Sequence, residues 1–198
     1  MAFPTADAVA DVVGPAVAAH GLELEDVTVH GAGASTRVVV LVDGDDAPDL
    51  DRVALASEDV SRALDEAEAS GMLDFGSGYE LEVSTPGVGH PLTEPRHWRR
   101  NRGRLVRVVL GDGSAEYGRI GALDEAREHV AFIVGPAAKA AAGRVKKGAR
   151  VSQKAVVRAL PLSSVATAVV EVEFTLAPEV EMALAESDFD AAVHRLED

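Results

Sequence analysis

Apolar positions near the start of the chain recur at helical spacing. Val9, Val12, Val13, Ala16, Val17 and His20 fall at i, i+3, i+4, i+7, i+8 and i+11, which is one face of a helix. Thr5 stands where an N-cap belongs, and Gly21 ends the run. Gly14-Pro15 lies inside the pattern, so a kink is expected there, because Pro15 has no N–H for the carbonyl of Asp11. The period then becomes two. Leu22 and Leu24, then Val27 and Val29, alternate with other residues but change phase across Glu25-Asp26, which predicts a bulged strand. Residues 31–35 read as a turn. Residues 36–42 are nearly all β-branched and apolar on both faces, as the central strand of a small sheet requires. Asp49 caps a second predicted helix whose stripe is Leu50, Val53, Ser57, Val60, Leu64 and Ala67, with Gly71 closing it. Tyr79, Leu81 and Val83 alternate with Glu80 and Glu82 as a third strand. Residues 1–92 therefore read as an α-β-β-α-β domain, three strands covered on one face by two helices, within an α+β chain.

Further on the pattern changes to short strands about ten residues apart, as in a small barrel. The candidates are Leu105–Leu110, Ala115–Leu123, 130–134, 154–160 and 166–174, with Asp112-Gly113 as a hairpin signal between the first two. These make an all-β domain over residues 104–177. Its Gly/Ala-rich segment 135–153 reads as a flexible basic loop. Residues 178–198 form an acidic tail with too few large apolar groups to be ordered by its own packing; Val180, Leu184 and Phe189 allow a weak helix or nothing stable.

Between the domains the chain breaks and reverses. Thr85-Pro86-Gly87 and Gly89-His90-Pro91 are turn residues, two prolines fixing φ and glycines permitting φ > 0. A basic hinge follows at 93–103, where Arg96, Arg99, Arg100, Arg102 and then Arg104 surround Trp98 with no acid between Pro95 and Gly111. Pro86, Gly87, Pro91, Leu92, Trp98 and Gly103 are assigned to the interdomain hinge. Trp98 either packs within that hinge or stacks on a base.

Charge sharpens this division. The 198-residue chain carries −14 overall, divided as −16 in residues 1–94, +10 in 95–170 and −8 in 171–198. Such a partition argues against indiscriminate coating of nucleic acid, since the outer parts repel phosphate while the middle attracts it. Planar guanidinium groups suit phosphate, so Arg96, Arg99, Arg100, Arg102 and Arg104, with Lys146, Lys147, Arg150 and Lys154 of the loop, are the candidate RNA contacts. The bland alternative is a solvated hinge whose arginines pair with acidic neighbours. Asp43-Gly44-Asp45-Asp46 lacks the remaining ligands of a calcium loop and reads as a solvated turn. The six histidines show no metal-ligand spacing, no serine sits in a nucleophile elbow, and there is no cysteine. No catalytic, cofactor or metal site is therefore expected, and the absence of cysteine suits a reducing cytoplasm. No apolar run reaches the ~20 residues of a membrane helix.

The run YELEVSTPGVGHPLT, followed by NRGRLVRV, resembles the bacterial ribosome maturation factor RimP family. That family's signature at this join reads roughly E-V-S-S-P-G-L-D-R-P-L and then R-x-G-R-x-V-x-V. The matching positions are Glu82, Val83, Ser84, Pro86, Gly87, Pro91 and Leu92, then Arg102, Gly103, Arg104, Val106 and Val108; Gly89-His90 replaces an acidic and a basic residue. The resemblance implies that the second domain is an Sm-like or SH3-like five-stranded barrel. It also implies a cytoplasmic, monomeric, non-enzymatic assembly factor that binds the immature small ribosomal subunit, its rRNA and small-subunit ribosomal protein twelve. A stand-alone Sm-like RNA-binding regulator is the alternative; it predicts ring oligomers and tight binding to free RNA.

Overall fold

The first two helices start where their capping residues stand. The Thr5 hydroxyl accepts the N–H of Ala8 at 3.2 Å and the Asp49 carboxylate that of Arg52 at 2.8 Å, each pairing a first-turn donor that a helix leaves without a partner. The computed structural model describes residues 3–32, 35–143 and 154–194, and the chain divides into two units, Met1–Gly87 and Val88–Asp198. In the first unit α1 (Ala6–Ala19) continues through Pro15, and α2 (Leu50–Ala69) follows the second strand. Gly21 turns the chain out of α1 at φ +63°, and Arg52 of α2 donates to the carbonyls of His20 and Gly21 at 2.9 and 2.7 Å, closing the α1 C-terminus with a cation.

The strands are β1 (Glu23–Ala32), β2 (Ser35–Asp43) and β3 (Tyr79–Ser84), in the order β1-β2-β3, with β1–β2 antiparallel and β2–β3 parallel. The register shift between Leu24 and Asp26 is the bulge that the change of phase predicts. The central strand β2 buries Val38, Val40 and Val42 completely, in one core with Val9, Val13 and Val17 of α1 and Val60 and Leu64 of α2. The predicted α2 stripe fails at one end. Leu50 is 87% exposed and Ala56 takes a core position instead, because Leu50 lies six residues before Ala56, about 240° round a 3.6-residue helix. Replacing Asp49 with alanine should cost the first unit about 1 kcal/mol by orphaning the Arg52 N–H. A urea titration followed by far-UV circular dichroism would show the loss; an unmoved midpoint would show that this cap contributes nothing.

The second unit is a five-stranded antiparallel sheet of β4 (Leu105–Leu110), β5 (Ala115–Leu123), β6 (His129–Val134), β7 (Val156–Pro161) and β8 (Val165–Val170). They pair in the open order β7-β6-β5-β4-β8. Asp112-Gly113 turns β4 into β5, with Gly113 at φ +83° and the Asp112 carboxylate accepting the Ser114 N–H at 2.8 Å. All five strands feed one core, Val106, Val108, Ile120, Val130, Phe132, Leu160, Ala168 and Val170, which also takes in Leu92 and Trp98. Gly118 makes room for it, since a Cβ there would stand 2.4 Å from the Phe132 ring.

Two sequence readings are corrected here. The last strand stops at Val170 rather than at 174, because β4 begins at Leu105; the Glu171 N–H still reaches the Leu105 carbonyl at 2.8 Å, and beyond it no strand stands opposite. The acidic segment 178–198, read as unable to order itself, contains α5 (Glu179–Glu186) and α6 (Phe189–His194). Leu184, Ala185 and Ala192 are buried against Ala131, Ile133, Ala155 and Val157, so the sheet supplies the apolar surface that the segment lacks. Among the described residues no helix is long and apolar enough to cross a membrane.

Candidate nucleic-acid interface

The basic stretch is held by a short helix, α3 (Pro95–Arg100), that the sequence reading did not anticipate. Pro95 presets its first turn. The turn is fixed by a reciprocal cap in which His97 Nδ1 accepts the N–H groups of Thr93 and Glu94, at 3.0 and 3.2 Å. Accepting at Nδ1 places the imidazole proton on Nε2. His97 and Trp98 face inward, 5% and 2% exposed, and Trp98 joins the core of the second unit. A buried indole offers no face to a base; Trp98 packs inside the core of the second unit.

Inward burial of His97 and Trp98 turns their neighbours outward. Arg99 is exposed, Arg100 is partly buried, and Arg96 pairs with Glu94. Asn101 closes α3, its side-chain amide donating to the His97 carbonyl at 2.9 Å. Gly103, at φ +83°, then lets the chain enter β4, its N–H donating to the Ile120 carbonyl at 2.8 Å. Arg104 is exposed just before β4, and Arg107 is exposed on the strand's outer face.

Arg102 has another use. Its Nε donates to the carbonyl of Ala185 at 2.6 Å and its Nη2 to that of Ser187 at 2.9 Å, so it caps the C-terminus of α5. A guanidinium spent on two carbonyls has few donors left for phosphate. Arg102 is itself exposed but held on these carbonyls; the other exposed arginines of this stretch are Arg99, Arg104 and Arg107. Lys154 is exposed, and its carbonyl lies 3.4 Å from Lys139 Nζ. Lys146, Lys147 and Arg150 lie outside the described residues. Of the residues assigned to the hinge, Pro86 and Gly87 end the first unit, whereas Pro91, Leu92, Trp98 and Gly103 belong to the second. Pro91 bridges to Val169, and the Leu92 N–H donates to the Ala168 carbonyl at 2.8 Å, so this stretch is tied along the edge strand β8.

The cation that organises the site is Arg119 on β5, which the sequence reading passed over. It is fully buried. Its Nε donates to Glu181 at 2.9 Å, its Nη1 to Glu173 and to the Gly103 carbonyl at 2.9 and 2.7 Å, and its Nη2 to Glu173 at 2.6 Å. Burial pulls the pKa of Arg119 down, but the hydrogen bonds and charges of Glu173 and Glu181 outweigh it and hold the value raised. The hydrogen bond from Arg119 holds the Glu173 carboxyl below its ordinary range. Glu181 also accepts the Ala137 N–H at 2.7 Å, in the first turn of α4 (Pro136–Ala141), a helix inside the segment 135–153 that the sequence pattern assigns to a flexible loop. Gly135 permits this approach, since a Cβ there would stand 2.4 Å from Glu181 Oε1. The one signal in the sequence was an arginine inside an otherwise apolar and glycine strand pattern, Gly118-Arg119-Ile120-Gly121. Its partners were hidden in a segment read as a tail.

The model of the RimP N-terminal domain family matches residues 12–89. The chain is similar to the ribosome maturation factor RimP of Corynebacterium diphtheriae, 42% identical over 198 residues that cover 100% of this chain and 99% of the relative. It is 41% identical to that of Corynebacterium aurimucosum over 194 residues, 97% of this chain and 95% of the relative. With that of Frankia casuarinae it shares 45% identity over 155 residues, 78% of this chain and 54% of the relative.

Proposed function

The chain belongs to the ribosome maturation factor RimP family and has a role in ribosome maturation, and we propose that it does this as a non-enzymatic, monomeric, cytoplasmic assembly factor for the small subunit. In this reading it binds the immature particle through rRNA and through a basic ribosomal protein, small-subunit protein twelve. The single observation that carries the reading is the placement of charge: Arg99, Arg104 and Arg107 are exposed in the acid-free stretch that opens the second unit, within a chain of net charge −14. Phosphate is attracted by the basic middle of the chain and repelled by its acidic ends, while the acidic surfaces suit a cationic protein. Binding the incomplete particle better than the finished one is what drives assembly forward, since only differential affinity shifts such an equilibrium. The Sm-like barrel belongs to the same proposal. It is supported by the three-residue 3₁₀ turn Leu162–Ser164 that joins the two outer strands and by the one core to which all five strands contribute.

Sedimentation of a cell lysate tests the reading. The protein should migrate with small subunits and be absent from translating ribosomes; migration only as free protein would remove it. Changing Arg99, Arg104 and Arg107 to glutamate should weaken particle binding and flatten its salt dependence by roughly 0.7–0.9 for each phosphate no longer neutralised. Arg102 is left intact in this variant, because its loss would disturb α5. An unchanged slope would remove the rRNA arm at these arginines.

A further inference from the structure

Beyond β8 the chain runs from Glu171 to Pro178 outside any helix or strand, and both ends of this run are fixed. The Glu171 N–H is held by the Leu105 carbonyl at 2.8 Å, and the Glu173 carboxylate takes Nη1 and Nη2 of Arg119. Glu181, in the first turn of α5, takes Nε of the same guanidinium. One buried arginine thus closes residues 174–180 into a loop clamped at both ends. On that loop Phe174 is 94% exposed, Leu176 97% and Val180 36%. Leaving a phenylalanine and a leucine almost wholly in water forgoes the gain that burial of such side chains ordinarily brings.

The surroundings indicate what kind of surface would cover these side chains. Residues 171–194 contain no lysine or arginine, and they carry Glu171, Glu179, Glu186, Asp188 and Asp190 besides the two carboxylates spent on Arg119. We propose that the loop 174–180 is a docking surface for a cationic protein segment bearing apolar side chains, which cover Phe174 and Leu176 while the surrounding carboxylates attract its charge. Nucleic acid is disfavoured here by like charge, and so is a second copy of a chain that carries −14. The inference deepens the proposed function and rests on its basic-protein arm, to which it gives a place.

The test uses the full chain, purified small-subunit ribosomal protein twelve as the cationic probe, and the double variant Phe174→Ser/Leu176→Ser. Both side chains are exposed, so thermal unfolding should be unchanged. The dissociation constant for the probe should rise at least tenfold, with rRNA affinity unaltered, and Glu179→Lys/Glu186→Lys should slow association at low salt. Equal binding of the probe by wild type and double variant overturns the docking surface and leaves the assembly reading intact. A loss confined to rRNA, or a dimer that the double variant abolishes, overturns the choice of occupant. If the wild type ignores the probe, the surface and the basic-protein arm both fall, and co-sedimentation with small subunits decides the rest of the reading separately.

Discussion

Arg119→Met should cost the second unit about 3–5 kcal/mol, the range for removing one partner of a buried ion pair. The volume is nearly kept, but the fully buried Glu181 loses the cation on Oε2 and keeps only the Ala137 N–H, and the Gly103 carbonyl loses its donor. The readout is clean, because the chain has one tryptophan and Trp98 lies in the core of this unit. Its fluorescence in a urea titration should report the loss, while Asp49→Ala, in the other unit, should leave it unmoved. The same cluster sets an acid limit. The folded-state pKa of Glu173 lies below its ordinary 4.5, so its contribution is present above about pH 4.5 and is lost as pH falls below that through the folded value. Glu173→Gln should be less stable than wild type at neutral pH, and the difference should shrink in that acid window. A pH-independent difference would show that Glu173 acts through packing alone.

Truncation after Ala177 should be about as damaging. From the sequence alone it removes only an acidic tail. In the structure it removes Glu181, and with it one carboxylate of the Arg119 cluster, again about 3–5 kcal/mol. It also uncovers Ala131, Ile133 and Val157, where the burial of Leu184 alone is worth roughly 1.5–3 kcal/mol. The expected result is a protein whose Trp98 transition moves to much lower urea. A truncated chain as stable as the full one would mean that α5 and α6 lie on the sheet without holding it. The attraction of a cationic partner is better tested by exchanging exposed acids such as Glu179 and Glu186, which leaves the helices in place.

These results show where the sequence was readable. The caps at Thr5 and Asp49, the bulge at Glu25, the central position of β2, the Asp112-Gly113 hairpin and all five strands of the second unit depend on residues within a turn or two of one another. Periodicity and turn chemistry therefore report them. The family resemblance was legible for the same reason, being carried by a contiguous run from Tyr79 to Val108. Leu50 was misplaced because it stands at the margin of the stripe, about 240° round the helix from the buried Ala56, and periodicity alone does not show how wide the buried face is. Arg102 looked like a phosphate ligand because its charge is visible in the sequence and its use is not; Ala185 and Ser187 lie 83 and 85 residues away.

The chain by itself determined two folding patterns, the break between them, and a basic stretch set in an acidic protein, because period, punctuation and charge are local quantities. Only the tertiary structure decided that Trp98 is a core residue, that Arg119 binds Glu173 and Glu181 across 54 and 62 residues, and that residues 179–194 form two helices packed on the sheet. An ion pair buried at that separation leaves no periodic trace, and a segment with few apolar residues becomes helical when a neighbouring sheet supplies the rest of its core.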